Sequence, residues 1–210
     1  MSNLPFTYNW LLSRLIKKNE IKTILELGCG KGDFADLINK NQQFDMTGVD
    51  IFEPYLKICR EKKKYSKLIK RDLSKGFPFE NNSFDVVVCL QTIEHLDKKI
   101  GENLFNQVEK IAEKMIIITT PVGECLQEDY DNNVYQRHLS SWDPIDFQSR
   151  GYKVFGIGLK MVYGSHSHAQ ERFNLRKFPL SLLSFLMNPV AYFFPEIGCQ
   201  MVAIKYKTPQ

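Results

Sequence analysis

Apolar residues gather in short runs at positions 22–27, 44–50, 67–70, 84–90 and 114–120, and between the runs they return every three or four residues. The runs are too short for helices and several are rich in β-branched residues, so they predict strands, and the intervening spacing predicts helices. Val86, Val87 and Val88 are consecutive in the fourth run and Ile116, Ile117 and Ile118 in the fifth, as expected of parallel strands covered on both faces. A leading amphipathic helix is predicted over 5–18 from Trp10, Leu11, Leu12, Leu15 and Ile16. Further helices are predicted over 31–41, where Phe34, Ala35, Leu37 and Ile38 share a side, and over 53–65, where Pro54 sits in the first turn. A helix at 142–150, a sixth strand at 151–158 and a final strand at 198–206 complete the pattern. Alternating strands and helices imply a doubly wound parallel sheet, whose ligands lie beyond the carboxyl ends of its strands.

The first strand stops at Gly28, Gly30 and Gly32. Glycine admits positive φ and lets a ligand lie against the backbone. An ordinary tight turn would use the same residue, so the context decides. The second strand ends in Asp50, about 20 residues on, where a carboxylate can accept both hydroxyl protons of a ribose. Dinucleotide sites favour Gly-x-Gly-x-x-Gly, whereas here Gly-x-Gly-x-Gly is preceded by Glu26. That pattern resembles the class I S-adenosylmethionine-dependent methyltransferases.

The resemblance extends over positions 21–121, because Arg71-Asp72-Leu73, Phe77-Pro78-Phe79, the block from Ser83 to Cys89 and Gln91-Thr92-Ile93-Glu94-His95-Leu96 follow in the family's order. It implies that S-adenosylmethionine is the cofactor, with Glu26, Gly28, Gly30 and Gly32 along its methionine part, Asp50 on its ribose and Asp72 on its adenine amine. Cys29, Ile51, Leu73 and Gln91, beside these, are expected to complete the cofactor contacts. The helix after the glycines would aim its free N–H groups at the cofactor's carboxylate. The resemblance also implies a Rossmann-like, doubly wound seven-stranded sheet, mostly parallel with an antiparallel last strand. One domain over 1–210 is expected, with the hairpin of strands six and seven interrupted by an insertion at about 164–196 that would serve as a substrate lid.

Composition narrows the setting. The chain has 210 residues, 43% hydrophobic and 25% charged, the make-up of an ordinary globular protein with a full core. Net charge is +4, and the excess is local, in Lys57, Arg60, Lys62, Lys63, Lys64, Lys67, Lys70, Arg71 and Lys75. Such a patch could draw nucleic acid, but the solvated face of a helix would be lysine-rich anyway, and no nucleic-acid partner is expected. The five cysteines lack a Cys-x-x-Cys pair and read as reduced thiols of a cytoplasmic protein; no signal peptide is expected.

Methyl transfer needs chiefly alignment of nucleophile, methyl carbon and sulfur. A base helps where the acceptor is a hydroxyl or amine. His95, just after the fourth strand, and His138, in the polar and aromatic stretch 127–142, are the candidates, and Tyr135 and Arg137 are expected to recognise the acceptor. Glu94 and His95 could equally orient their loop. Some relatives bind a metal through Glu-x-x-Glu-His, but the first position here is Gln91, a poor replacement for an anionic ligand, so no metal is expected. His166 and His168 lie in the insertion and read as a polar loop. Residues 178–194 are strongly apolar but interrupted by Pro179 and Pro189 and too short to span a bilayer, leaving a peripheral membrane or dimer contact as their role. The expected activity is S-adenosylmethionine-dependent methylation of a small molecule, on oxygen. The alternatives are a non-catalytic cofactor-binding subunit and, further off, an RNA methyltransferase.

Overall fold

In the computed structural model, which describes residues 4–18, 20–129, 131–160, 182 and 185–207, seven strands form one sheet in the order β3-β2-β1-β4-β5-β7-β6. They are β1 (Thr23–Leu27), β2 (Asp45–Asp50), β3 (Lys67–Lys70), β4 (Phe84–Leu90), β5 (Ala112–Pro121), β6 (Lys153–Leu159) and β7 (Gly198–Tyr206). The first five run parallel, and β7 lies antiparallel between β5 and β6. The expected architecture, including the antiparallel last strand, is thus the observed one.

Alternation along the strands explains the two layers of helices. Val87 and Cys89 of β4 and Ile116 and Ile118 of β5 pack with Leu104, Phe105 and Val108 of α4 (Lys98–Ile111) and with Trp142 and Phe147. Their neighbours Val86, Val88, Met115 and Ile117 face the other way, against Leu11, Leu12, Leu15 and Ile16 of α1 (Tyr8–Lys18) and Phe34, Ala35 and Ile38 of α2 (Asp33–Ile38). Each such side chain contributes about 1.5–3 kcal/mol by leaving water. A third group joins Cys29 to Leu56 and Cys59 of α3 (Glu53–Lys62).

Several elements are shorter than the pattern predicts, for local reasons. Gly32, at φ 81°, caps α2, so the helix begins at Asp33 rather than at 31. It stops at Ile38 because Asn39 turns its buried amide to the carbonyls of Phe44 and Lys64 and accepts the Phe44 N–H at 3.0 Å. Trp142 is not helical: Asp143 and Asp146 form a capping box that starts α5 (Pro144–Gln148).

At the amino edge of the sheet Asp85 gathers three strands. Its Oδ2 accepts the N–H groups of Lys22 at 2.6 Å and Thr23 at 3.1 Å, and its Oδ1 pairs with Lys114 Nζ at 2.8 Å. Burial opposes its charge, but the Lys114 bond and the two backbone donors outweigh that and hold the carboxyl below its ordinary value.

The lid expected at 164–196 is not seen over the site in its described part. Helix α6 (Asn188–Phe193) packs on β6 instead: Ala191 backbone abuts Gly156, Tyr192 stacks on Phe155 at 4.5 Å, and Asn188 Oδ1 accepts the Gly158 N–H at 3.2 Å. Residues 161–181, 183 and 184, with His166 and His168, lie outside the described residues. No described helix is long and apolar enough to cross a membrane.

Candidate functional site

The site begins where β1 ends. Gly28 and Cys29 both donate their N–H groups to Val49 O, at 2.8 and 3.0 Å, which folds the chain back over the end of β2. Gly28 takes φ 72°, and a Cβ there would lie 2.2 Å from Thr92 Oγ1, so only glycine fits. Gly30, at φ 51°, has the opposite surroundings: a Cβ there would meet nothing within 4 Å, because its face is open to the cleft. A ligand could lie on that backbone.

Two buried carboxylates frame the turn. Asp50, ending β2, accepts the Gly30 N–H on Oδ2 and the Phe52 N–H on Oδ1, both at 2.8 Å. Burial raises its pKa, and the Phe52 and Gly30 N–H groups partly offset that. Glu26 receives the Tyr65 hydroxyl at 2.7 Å, and burial drives its pKa well above the carboxylate range. Asp72, more exposed, caps the turn at Leu73–Lys75 by accepting the Ser74 N–H at 2.9 Å, and that bonding lowers its pKa.

These groups line one cleft of about 1270 Å³, together with Tyr8, Cys29, Ile51, Leu73, Gln91, His95, Tyr135 and His138. Of the expected site residues, Gly32 and Arg137 do not line it. Gly32 is turned to Cys59 and Tyr65, and Arg137 points outward, 52% exposed, bonded to Asp129 at 2.9 Å. An acceptor-binding role for Arg137 therefore has no support in its position. Gln91 adopts a left-handed φ of 49° and bends the chain after β4, with its Nε2 on Thr119 Oγ1 at 3.1 Å.

The stretch 127–138 overhangs the carboxyl edge. Asp131 pairs with Lys31 and accepts the Tyr55 hydroxyl at 3.1 Å, and the Lys31 ammonium sits 5.3 Å from the Tyr55 ring centre. At its far end Leu139 and Ser140 donate N–H groups to Glu94 O, at 2.8 and 3.1 Å. The result brings His95 and His138 together, ring centres 4.9 Å apart and edge to face. His95 Nδ1 lies 3.1 Å from Arg137 O, and His138 Nδ1 lies 2.5 Å from Cys125 O. Burial, with His138 close by, lowers the His95 pKa to about 4, so this imidazole is neutral at pH 7. Glu94, behind the pair, is buried, and burial lifts its carboxyl to about 8 against the pull of its own N–H and of Thr120.

A glycine turn open to a cleft, a buried acid ending the next strand and this strand order come together at one edge, and residues 24–114 match the model of a methyltransferase domain family. Residues 24–114 thus match a methyltransferase domain, and the fold is that of the class I S-adenosylmethionine-dependent methyltransferases. It is 30% identical over 148 residues to an uncharacterized protein of Methanocaldococcus jannaschii, covering 68% of this chain and 61% of that one. It is 25% identical over 115 residues to a Dictyostelium discoideum protein named "Probable 18S rRNA (guanine-N(7))-methyltransferase", covering 54% and 40% of the two. Against a ubiquinone biosynthesis O-methyltransferase of Rickettsia bellii the identity is 25% over 150 residues, covering 67% and 60%. The chain thus spans between 40% and 61% of the length of these curated relatives. A solved S-adenosylmethionine-dependent methyltransferase from Archaeoglobus fulgidus shares the fold, with TM-score 0.57 at 20% identity over 94% of this chain and 93% of that one.

Methyltransferases of this family are read from sequence by their glycine turn, and the residues around it are easily missed. Tyr65, which holds Glu26, and Tyr8, whose hydroxyl meets Thr119 Oγ1 at 3.0 Å, carry no local signal. Thr119 does carry one: it is a hydroxyl residue near the carboxyl end of an otherwise apolar strand. Glu94 is in the expected motif, but its burial was not predictable from it.

Proposed function

We propose that this chain transfers a methyl group from S-adenosylmethionine to a hydroxyl oxygen of a small molecule. The observation that carries this reading is the His95–His138 pair, 4.9 Å apart, set in the same cleft as the open face of Gly30 and the Asp50 carboxylate. The residues present fit the cofactor: the vacant Cβ direction of Gly30 leaves room along the backbone, and Glu26, Asp50 and Asp72 stand at successive strand ends. Glu26 would face the cofactor's ammonium, Asp50 its ribose hydroxyls and Asp72 its adenine amine. When bound, S-adenosylmethionine supplies an electrophilic methyl on a sulfonium. The chain's part is to align the acceptor oxygen with that methyl and to manage the hydroxyl proton at His95 and His138.

A small acceptor is favoured by the overhanging stretch 127–138, which Lys31 and Tyr55 tie down at Asp131. The rickettsial relative, an O-methyltransferase by name, points the same way. RNA, suggested by the Dictyostelium relative, is less favoured because the basic patch is partly neutralised, with Arg60 and Lys70 on Glu53 and Lys62 on Asp36. We place the protein in a reducing cytoplasm, as its five cysteines are unpaired. The exposed Phe185, Leu186, Phe193 and Phe194 we assign to a peripheral contact with a lipid surface or a second copy of the chain.

The test is incubation with isotopically labelled S-adenosylmethionine and separate pools of phenols, aliphatic alcohols, amines and structured RNA, with products resolved by mass. Label on a hydroxyl compound supports the proposal. Label confined to amines or RNA refutes the oxygen acceptor, and cofactor binding without turnover in any pool points to the non-catalytic subunit.

A further inference from the structure

We propose that Cys29 and Cys59 are the site of a reversible disulfide, made by hydrogen peroxide, that switches off cofactor binding at the glycine turn. The effect on binding rests on the reading of this turn as the S-adenosylmethionine site.

Two distant parts of the chain bring these thiols together. Cys29 stands between Gly28 and Gly30, with its N–H on Val49 O at 3.0 Å and its carbonyl accepting the Gly32 N–H at 2.9 Å, so its backbone is fixed on both sides. Cys59, from α3, packs beneath the same turn. Its thiol donates to Gly30 O at 3.2 Å, and a Cβ added to Gly32 would lie 3.1 Å from its Sγ. Cys29, Leu56 and Cys59 form one buried group, within which the Cys29 thiol bonds to the Cys59 sulfur. Cys89, by contrast, packs in the layer of α4, and Cys199 donates to Ile157 O at 3.1 Å. The pair is reached from the cleft, because Cys29 and Gly30 line it and Cys59 lies one hydrogen bond behind Gly30.

The thiolate is the form that reacts with peroxide. The Cys29 S–H and the nearby Lys62 charge favour it at Cys59, holding that thiol below its ordinary value. The Cys59 thiolate attacks one oxygen of hydrogen peroxide; the O–O bond breaks, leaving a sulfenic acid and a hydroxide that takes up a proton as water. Cys29 sulfur then bonds to Cys59 sulfur, and the displaced hydroxyl leaves with the Cys29 proton as a second water. The two sulfurs together give two electrons to the peroxide.

In the disulfide Cys59 has no proton to give, so Gly30 O loses its donor. Covalent bonding also draws the sulfurs closer than two thiols in contact can lie. The glycine-flanked turn yields more readily than α3, where Leu56 and Cys59 are fully buried. Moving the turn displaces the Gly30 N–H from Asp50 Oδ2, the bond that sets the open face of the site. A ligand lying on that face shields the thiols in turn, so binding and oxidation oppose each other.

Reduced protein is treated with hydrogen peroxide, its disulfides are mapped by peptide mass, and S-adenosylhomocysteine binding is measured by calorimetry before and after. We expect a Cys29–Cys59 cross-link that S-adenosylhomocysteine suppresses and dithiothreitol reverses. Affinity should fall at least about tenfold with the cross-link, as for loss of one hydrogen bond to a charged group, and return on reduction. Cys59→Ser should keep its affinity through peroxide treatment, with Cys59→Ala replacing it should the serine variant not fold. Free thiols at both positions after treatment, a cross-link at Cys125 and Cys199 in their place, or unchanged affinity in the cross-linked protein overturns the switch. Should the reduced wild type bind no S-adenosylhomocysteine, the cofactor reading fails; the mapped Cys29–Cys59 cross-link would then still support the modification site, and its absence would overturn it.

Discussion

Asp50 reaches back to Gly30, accepting its N–H at 2.8 Å from the end of the neighbouring strand. The acid that would hold a ribose therefore also sets the glycine turn on which the rest of the cofactor would lie. Asp50→Ala removes both functions. Because hydrogen bonds to charged groups contribute about 1.5–3 kcal/mol, S-adenosylhomocysteine affinity should fall roughly 10- to 150-fold. Asp50→Asn, which can still accept from Gly30, should fall less. Calorimetry on the three proteins checks this, and equal affinity across them would remove Asp50 from the site.

Gly28 and Thr92 are in contact so close that no side chain can be added between them. Gly28→Ala should cost about 1–2 kcal/mol from its left-handed backbone and about 1–3 kcal/mol more from overpacking. Thr92→Gly removes the second part only. Urea unfolding of both single variants and the double variant should give a double variant more stable than the sum of the single losses predicts; simple additivity would show that the contact is absent in solution.

What sequence revealed, and what it hid, follows the range of the interactions. The glycine turn, Asp50 and Asp72 were legible because each sits at a strand end marked by its neighbours in the chain, and β3, β4 and β7 have the predicted limits. Helix ends were less legible: Asn39 stops α2 by bonding to Phe44 and Lys64, the latter 25 residues away. Trp142 was read as helical because it adjoins an apolar pattern, yet it pairs with Gly123 across a bridge and packs on Phe105. The outward turn of Arg137 and the meeting of His95 with His138 depend on how the 127–138 stretch folds over the edge, which no local spacing encodes.

The Lys31–Asp131 pair bridges the glycine turn and the overhanging stretch, and both side chains are substantially exposed. Exposed ion pairs are weak and screened by salt. Asp131→Ala, which also frees the Tyr55 hydroxyl, should therefore speed S-adenosylhomocysteine release by no more than about fivefold. The difference from wild type should shrink as salt is raised. Stopped-flow displacement measures it; a change that persists at high salt would assign the effect to Tyr55 rather than to the ion pair.

Asp85 makes stability depend on acid in a predictable direction. Its carboxyl is held below the ordinary value of 3.8 in the folded chain and returns to it on unfolding. Below the ordinary value the unfolded chain binds the proton more readily, so the contribution is complete above about pH 4 and disappears as pH falls through the folded value. Asp85→Ala leaves the Lys22 and Thr23 N–H groups without their acceptor at the sheet's amino edge. Since Lys114 is 41% exposed, the ion pair adds little, and the loss of roughly 2–3 kcal/mol at pH 7 comes mainly from those two donors. Urea unfolding at pH 7 and at pH 3 should show the wild-type advantage shrinking at the lower pH. An advantage unchanged between the two would mean that Asp85 acts through packing and not through its charge.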